Sequence, residues 1–133
     1  MTKPMQQIIE PELTWIDGCF QRHQRIVIGA DGTIDTVGEI NKKPTLRVPG
    51  KALLPGFVNA HSHAFQRGLR GLGETFPKGA GDFWTWRDAM YDLVERLDEH
   101  GLYDTSKQAF EEMRAAGITS VGEFHYIHHE SDD

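Results

Sequence analysis

Two histidines separated by one residue, His61 and His63, are the side chains of this sequence best suited to bind a metal ion. Neutral imidazole is a common ligand of zinc and related divalent metals. The pair follows the apolar run 57–60, which is typical of a short β-strand. Side chains two apart on a strand point to the same face, so both rings can converge on one ion. Because ligands bind at the carboxyl ends of parallel strands, the sequence predicts a metal site here.

Three further side chains could contact a small substrate. The amide of Gln66 can donate and accept hydrogen bonds, and the guanidinium of Arg87 can hold a carboxylate through two parallel hydrogen bonds. The hydroxyl of Tyr126 could bind a carboxylate from a loop. Each residue also has a plainer interpretation: a loop-capping glutamine, a solvated helix arginine and a packed aromatic ring. Aromatic residues at positions 83, 84 and 86 favour a pocket wall around Arg87 over a plain solvent face.

The elements before the histidine pair are predicted from turn residues and β-branched runs. The first 50 residues indicate short strands, and the strands at 25–28 and 33–37 are joined by a hairpin at Asp31-Gly32. That dipeptide favours the positive φ angles of a tight turn. The transition to the next part of the chain is bracketed by two Pro-Gly pairs, at 49–50 and 55–56.

Beyond the histidine pair the sequence predicts a crossover unit. The glycine-rich segment 64–81 is predicted to be a long loop, and Asp82 to cap a helix that runs to about residue 99, with Gly101 just past its end. The remaining predicted elements are a second helix and a final strand, at about 105–116 and 118–124. A strand that returns through helices to the same sheet is parallel to the first strand.

Composition excludes several classes of partner. The 133 residues carry 14 Lys and Arg against 20 Asp and Glu, a formal net charge of −6 that argues against nucleic acid or an anionic membrane. The apolar stretches are far too short to cross a bilayer, and the first residues lack the apolar core of a secretory signal. Since Cys19 is the only cysteine, a reducing cytoplasm is the expected location.

Three segments carry a resemblance to a known family. The run Leu-Leu-Pro-Gly-Phe-Val-Asn-Ala-His-Ser-His at 53–63 resembles the barrel entry of the amidohydrolase superfamily. Within that superfamily, His-Ser-His-Ala-Phe-Gln-Arg, Phe-Trp-Thr-Trp-Arg and Glu-Phe-His-Tyr-Ile-His-His resemble the formimidoylglutamate deiminases, and these segments begin at positions 61, 83 and 123. The implied fold class is α/β: part of a small β-sandwich, residues 1–52, followed by the first β/α units of an incomplete (β/α)8 TIM-like barrel, residues 53–133.

The resemblance also implies an activity. A longer parent enzyme, expected to be a homodimer, would hydrolyse the small molecule N-formimino-L-glutamate to N-formyl-L-glutamate and ammonia, using water activated by one divalent ion, expected to be zinc. His61 and His63 would be the first two ligands of that ion. Gln66, Arg87 and Tyr126 would contact the substrate. The resemblance places no catalytic acid or base in this chain, so the 133 residues alone are expected to be inactive.

Four further residues are not predicted to bind the metal or the substrate. By comparison with the family, His125, His128 and His129 are interpreted as supporting residues, and Glu123 is left without a function. Two alternatives remain. A related deaminase acting on a nucleobase-type ring would keep the histidine pair but would not need Arg87 for a carboxylate. A non-catalytic metal-binding or interaction domain could instead use the pair together with the histidines at 125–129.

Overall fold

The computed structural model describes residues 6–72 and 83–127 and shows a mixed α/β chain. Its residues form two compact units, Met1–Pro55 and Gly56–Asp133. The predicted division between residues 52 and 53 falls within a strand, Leu46–Leu53. The interpretation of these units as sandwich and barrel stays a prediction. No helix in the described ranges is long and apolar enough to cross a membrane.

The first unit is a five-stranded sheet built around one long strand. That strand, β1, pairs antiparallel with β2 and β3 and parallel with β5, and β3 pairs antiparallel with β4. Ile8 and Val27 are buried where β1 meets β3. The strands are β1 Gln7–Ile16, β2 Cys19–Gln21, β3 Arg25–Ile28, β4 Ile34–Gly38 and β5 Leu46–Leu53.

The hairpin predicted at Asp31-Gly32 is confirmed. Gly32 has a φ of 85°, and its amide donates to the Gly29 carbonyl at 3.0 Å. The Asp31 carboxylate accepts hydrogen bonds from the amide and the hydroxyl of Thr33, at 3.0 and 2.8 Å. These bonds hold the pKa of Asp31 below its usual range and close the loop between β3 and β4.

Pro49 and Gly50, one of the two pairs predicted to bracket the transition, lie inside β5. The strand accommodates them with an irregularity in its pairing with β1, between Pro11 and Leu13. Gly50 supplies the positive φ of 68°, and its amide donates to the Glu12 carboxylate at 3.0 Å. A bulge of this kind gives a Pro-Gly pair a place within a strand.

The second unit carries the predicted crossover. Strand β6, Phe57–Ser62, pairs parallel with β7, Ile118–Glu123, which confirms the predicted parallel pair. Two helices lie between them in the chain, α1 Phe83–Arg96 and α2 Glu99–Ala115. The strands approach so closely that a Cβ on Gly56 would lie 2.0 Å from the hydroxyl of Thr119.

The segment after β6 and the boundary between the helices differ from the predictions. Residues 64–69 of the predicted loop form a 3-10 helix, Ala64–Leu69, whereas residues 73–82, including the predicted cap Asp82, lie outside the described part. Gly101 does not follow the first helix but lies in the first turn of α2, where its amide donates to the Asp98 side chain at 2.7 Å. An aspartate cap therefore starts α2 six residues before the predicted position.

The 3-10 helix forms the core of this unit. Ala64, Phe65 and Leu69 are buried, as is Ala109 on α2. The 3-10 helix also packs tightly against α1, because a Cβ on Gly68 would lie 2.9 Å from a methyl carbon of Leu93. The segment that follows the histidine pair is therefore fixed by packing rather than free.

An ion pair on the surface links the 3-10 helix to α2. Arg67 donates to a Glu112 oxygen through Nη2 at 2.6 Å and Nε at 3.2 Å, which raises the pKa of Arg67 and lowers the pKa of Glu112 from 4.5. A carboxylate with a lowered folded-state pKa stabilises the fold above its unfolded pKa. That stability is lost as the pH falls through the folded-state value.

We therefore expect Glu112→Gln to lower the urea midpoint of unfolding near about pH 7 and to lower it less near about pH 3, because protonation of Glu112 removes the charge that pairs with Arg67. The neighbouring exposed residue provides the control, Glu111→Gln, which should match the wild type at both pH values. An equal deficit for Glu112→Gln at both pH values would show that the charge is not involved.

Candidate metal centre

The histidine pair lies at the carboxyl end of β6. The rings of His61 and His63 have their centroids 4.6 Å apart and meet edge to face at 83°. The His61 amide donates to the side-chain oxygen of Asn59 at 3.3 Å, and Asn59 reaches the Met113 sulfur of α2 at 3.8 Å. The two imidazoles are thus neighbours, as their spacing predicts, with His61 exposed and His63 half-buried.

The hydrogen bond of the His63 ring determines which nitrogen can bind a metal. Its Nδ1 lies 3.0 Å from the carbonyl oxygen of Phe124, just after β7. A carbonyl only accepts hydrogen bonds, so Nδ1 carries the proton and Nε2 of the neutral ring keeps its lone pair. Metal-ligating histidines have this arrangement, because the second nitrogen is held by an acceptor.

The donor set fits part of a metal site. Two imidazoles on one strand end suit zinc or a similar divalent ion. Within residues 6–72 and 83–127, no group of three or more His, Cys, Asp or Glu side chains could hold an ion together. The pair therefore offers two donor atoms, and a catalytic site with three protein ligands would need a further one from outside the described residues.

Tyr126 is the predicted substrate residue that lies beside the pair. Its ring centroid is 4.6 Å from that of His63, 5.1 Å from Phe124 and 6.1 Å from Phe65. This packing fixes the ring, while the residue as a whole remains exposed. Both the predicted hydroxyl contact and the plainer packed-aromatic interpretation are compatible with this position.

Gln66 is placed between the pair and α1. Its backbone amide donates to the His63 carbonyl at 2.9 Å, and its side-chain nitrogen lies 3.4 Å from the Met90 sulfur. A thioether is a weak acceptor, so this contact leaves most of the hydrogen-bonding capacity of the amide unused.

Arg87 makes its described contacts on its own helix. The guanidinium carbon lies 4.8 Å from the ring centroid of Trp84 and 5.4 Å from that of Tyr91. Its Nε is buried and has no hydrogen-bond partner among the described residues. A buried guanidinium donor of this kind needs an acceptor, which a carboxylate would provide. The structure brings His61, His63 and Tyr126 together, but no described contact joins them to Arg87.

Sequence reasoning missed Glu123. This last residue of β7 has a side chain that is only 10% exposed, and its Oε1 accepts a hydrogen bond from the Ala64 amide at 2.7 Å. The Nδ1 of His125 lies 3.8 Å from the same oxygen. The signal available in the sequence was a carboxylate at the end of a strand that was predicted to pair with β6.

Comparison with known proteins assigns the family. The sequence model of the Amidohydrolase family matches residues 52–133, which is more than half of the chain. The chain belongs to the amidohydrolase family. The resemblance seen in its histidine motif is thereby confirmed.

Two curated relatives and one solved structure are similar to most of this chain. The chain is 41% identical over 111 residues to a formimidoylglutamate deiminase of Pseudomonas aeruginosa, covering 84% of this chain and 24% of the relative. It is 30% identical over 124 residues to 5-methylthioadenosine/S-adenosylhomocysteine deaminase 2 of Archaeoglobus fulgidus, covering 91% and 28%. A crystal structure of an amidohydrolase from Brucella melitensis aligns with a TM-score of 0.80 at 30% identity, over 93% of this chain and 28% of that one. The chain thus spans about a quarter of the length of these family members.

Proposed function

We propose that the chain is part of a formimidoylglutamate deiminase, which hydrolyses N-formimino-L-glutamate to N-formyl-L-glutamate and ammonia. Water adds to the formimino carbon, the terminal C–N bond breaks, and the nitrogen leaves as ammonia. The proposal is supported by the adjacent imidazoles of His61 and His63 at a strand's carboxyl end. It is also supported by the 41% identity to the Pseudomonas relative, against 30% for the Archaeoglobus relative.

In this proposal the histidine pair binds one zinc ion. When bound, such an ion activates water for attack and polarises the group under attack. His63 contributes Nε2, because the Phe124 carbonyl holds Nδ1, and His61 contributes its ring from the same strand end. This hydrogen bond supports Nε2 as the atom of His63 that would bind the ion.

The substrate has an amidine end and two carboxylates. Gln66 would hydrogen-bond the formimino group through its amide, since its side chain has only a thioether as a described partner. Arg87 would hold a carboxylate with its planar guanidinium, whose Nε lacks an acceptor in the described chain. Tyr126 would donate its hydroxyl to a carboxylate from beside the histidine pair.

The activity is assigned to a longer protein that contains these residues, because the described part offers only two metal ligands and no group placed as the acid or base. We further propose the sandwich assignment for residues 1–52, the barrel assignment for residues 53–133, and a cytoplasmic homodimer as the assembly. Two apolar side chains of β6, Phe57 and Val58, are 57% and 70% exposed, which supports further barrel elements covering this sheet.

A second candidate is a deaminase of the same family that acts on a purine-type substrate. The Archaeoglobus relative supports it, because that similarity extends over 91% of the chain. Such an enzyme would use His61 and His63 in the same way, but 5′-methylthioadenosine would offer the Arg87 guanidinium no carboxylate to bind. Family membership favours either enzyme over a non-catalytic metal-binding domain.

Metal removal tests the proposed chemistry. In a longer protein that contains this chain, we expect a chelator to abolish ammonia release from N-formimino-L-glutamate and added zinc to restore it. Circular dichroism before and after chelation serves as the control, to show that the fold survives. Undiminished turnover by protein with no detectable metal would contradict the proposal.

A further inference from the structure

Three hydrogen bonds join the end of β7 to the segment around His63. The Phe124 amide donates to the Ser62 carbonyl at 3.0 Å, and the Phe124 carbonyl accepts from Nδ1 of His63 at 3.0 Å. The third bond runs from the Ala64 amide to Oε1 of Glu123 at 2.7 Å. Two of these bonds use the backbone of Phe124, which any residue except proline could provide, whereas the third requires the Glu123 side chain.

The bond to Ala64 replaces a helix cap. Ala64 is the first residue of the 3-10 helix, where amides lack intrahelical partners and the preceding side chain commonly caps them. That preceding residue is His63, and its side chain makes no capping bond because its ring is engaged with Phe124. Glu123 therefore caps the helix from a neighbouring strand and leaves the His63 ring available.

The burial of Glu123 indicates that its carboxylate is present for the bond to the Ala64 amide. Its side chain is nine-tenths buried, and Oε2 has no hydrogen-bond partner among the described residues. Burying a carboxylate is unfavourable unless its hydrogen bonds compensate. The described partners of Oε1 are the Ala64 amide and, at the longer distance of 3.8 Å, the His125 ring. An apolar residue would fill a strand end at lower cost.

We infer that Glu123 is a positioning residue for the metal ligand His63. By accepting the Ala64 amide, its carboxylate fixes the backbone between β6 and the 3-10 helix, so that Nδ1 of His63 meets the Phe124 carbonyl and Nε2 stays free for the metal. This inference rests on the proposed metal centre, but the tautomer that it specifies exists without metal.

The tautomer of His63 is therefore the test. We would label histidine nitrogens in the metal-free form of a longer protein that contains this chain and record two-bond nitrogen–proton correlations at about pH 8. His63→Asn identifies the signal. In the wild type we expect a fixed Nδ1–H tautomer and an Ala64 amide that is protected from exchange.

Variants at position 123 separate positioning from general stability. Glu123→Gln keeps an acceptor oxygen and should retain the fixed tautomer, whereas Glu123→Ala should shift His63 towards the Nε2–H form and raise Ala64 amide exchange at least about tenfold. The control Glu95→Ala, on the exposed side of α1, should change neither. If Glu123→Ala fails to fold, Glu123→Asp replaces it, because one methylene less shortens its reach to Ala64.

Two results would overturn the inference: tautomer averaging of His63 in the wild type, or a fixed Nδ1–H form in a folded Glu123→Ala or Glu123→Asp chain. Zinc binding is then measured separately. A fixed wild-type tautomer without any effect of His63 replacement on zinc binding would count against the metal centre, whereas the positioning role would stand.

Discussion

Replacing His61 or His63 by alanine in a longer protein that contains this chain is expected to remove most bound zinc and to reduce turnover by well over about 100-fold. Changes to residues that merely orient a metal ligand already cost about 10- to 100-fold, and these substitutions remove the ligand itself. The two rings lie 4.6 Å apart at one strand end. The described residues contain no group of three or more candidate ligands, so no third side chain there could take the place of a lost imidazole. Elemental analysis and the rate of ammonia release measure the two effects.

A histidine on the surface provides the matched control. His100 lies on α2 with its side chain 82% exposed, and its only described ion-pair partner is Asp104 at 3.5 Å. We expect His100→Ala to keep the metal content and turnover of the unmodified protein. Full metal occupancy in both His61→Ala and His63→Ala would show that neither histidine is a metal ligand.

Arg87→Lys is expected to raise KM for N-formimino-L-glutamate and to lower kcat/KM about 30-fold, with the metal content unchanged. Lysine keeps the charge but loses the planar pair of donors that matches a carboxylate. Loss of one buried charge-assisted contact costs about 2 kcal/mol or more, which corresponds to that factor. Steady-state kinetics of the purified variant give both constants.

The control for Arg87 lies on the same helix. Arg96 is 74% exposed and pairs with Asp92 at 3.9 Å, so Arg96→Lys should leave the kinetics unaltered. Tyr126→Phe, which removes one hydroxyl, should show a smaller loss of the same kind as Arg87→Lys. Unmodified kinetics in Arg87→Lys would mean that the guanidinium serves only the packing of α1.

Local signals in the sequence predicted the parts of the fold that depend on neighbouring residues. The hairpin at Asp31-Gly32 follows from a glycine that adopts a φ of 85°, and the parallel pair follows from helices placed between two apolar strands. The helix boundary was missed because Gly101 resembled a terminator. In the structure the Asp98 side chain caps the next helix, and Gly101 lies in its first turn. The local sequence does not show whether Gly101 ends one helix or Asp98 begins the next.

In the candidate site, too, the sequence predicted local relations between residues but not long-range ones. The spacing of His61 and His63 was enough to predict neighbouring rings, because the two share one strand end. The role of Glu123 depends on the register of β6 with β7, which pairs Ser62 with Glu123 across about half the chain. Contacts of that kind follow from sheet pairing and not from local pattern, so the residue types alone could not assign them.

The choice of substrate distinguishes the proposed deiminase from the purine-type deaminase. A longer protein that contains this chain, loaded with zinc, would be assayed for ammonia release from N-formimino-L-glutamate and from 5′-methylthioadenosine under the same conditions. We predict turnover of N-formimino-L-glutamate with a kcat/KM at least about 100-fold higher than for the nucleoside, a gap of about 2.7 kcal/mol in transition-state binding. Turnover of the nucleoside with no release from N-formimino-L-glutamate would contradict the account and favour the second candidate.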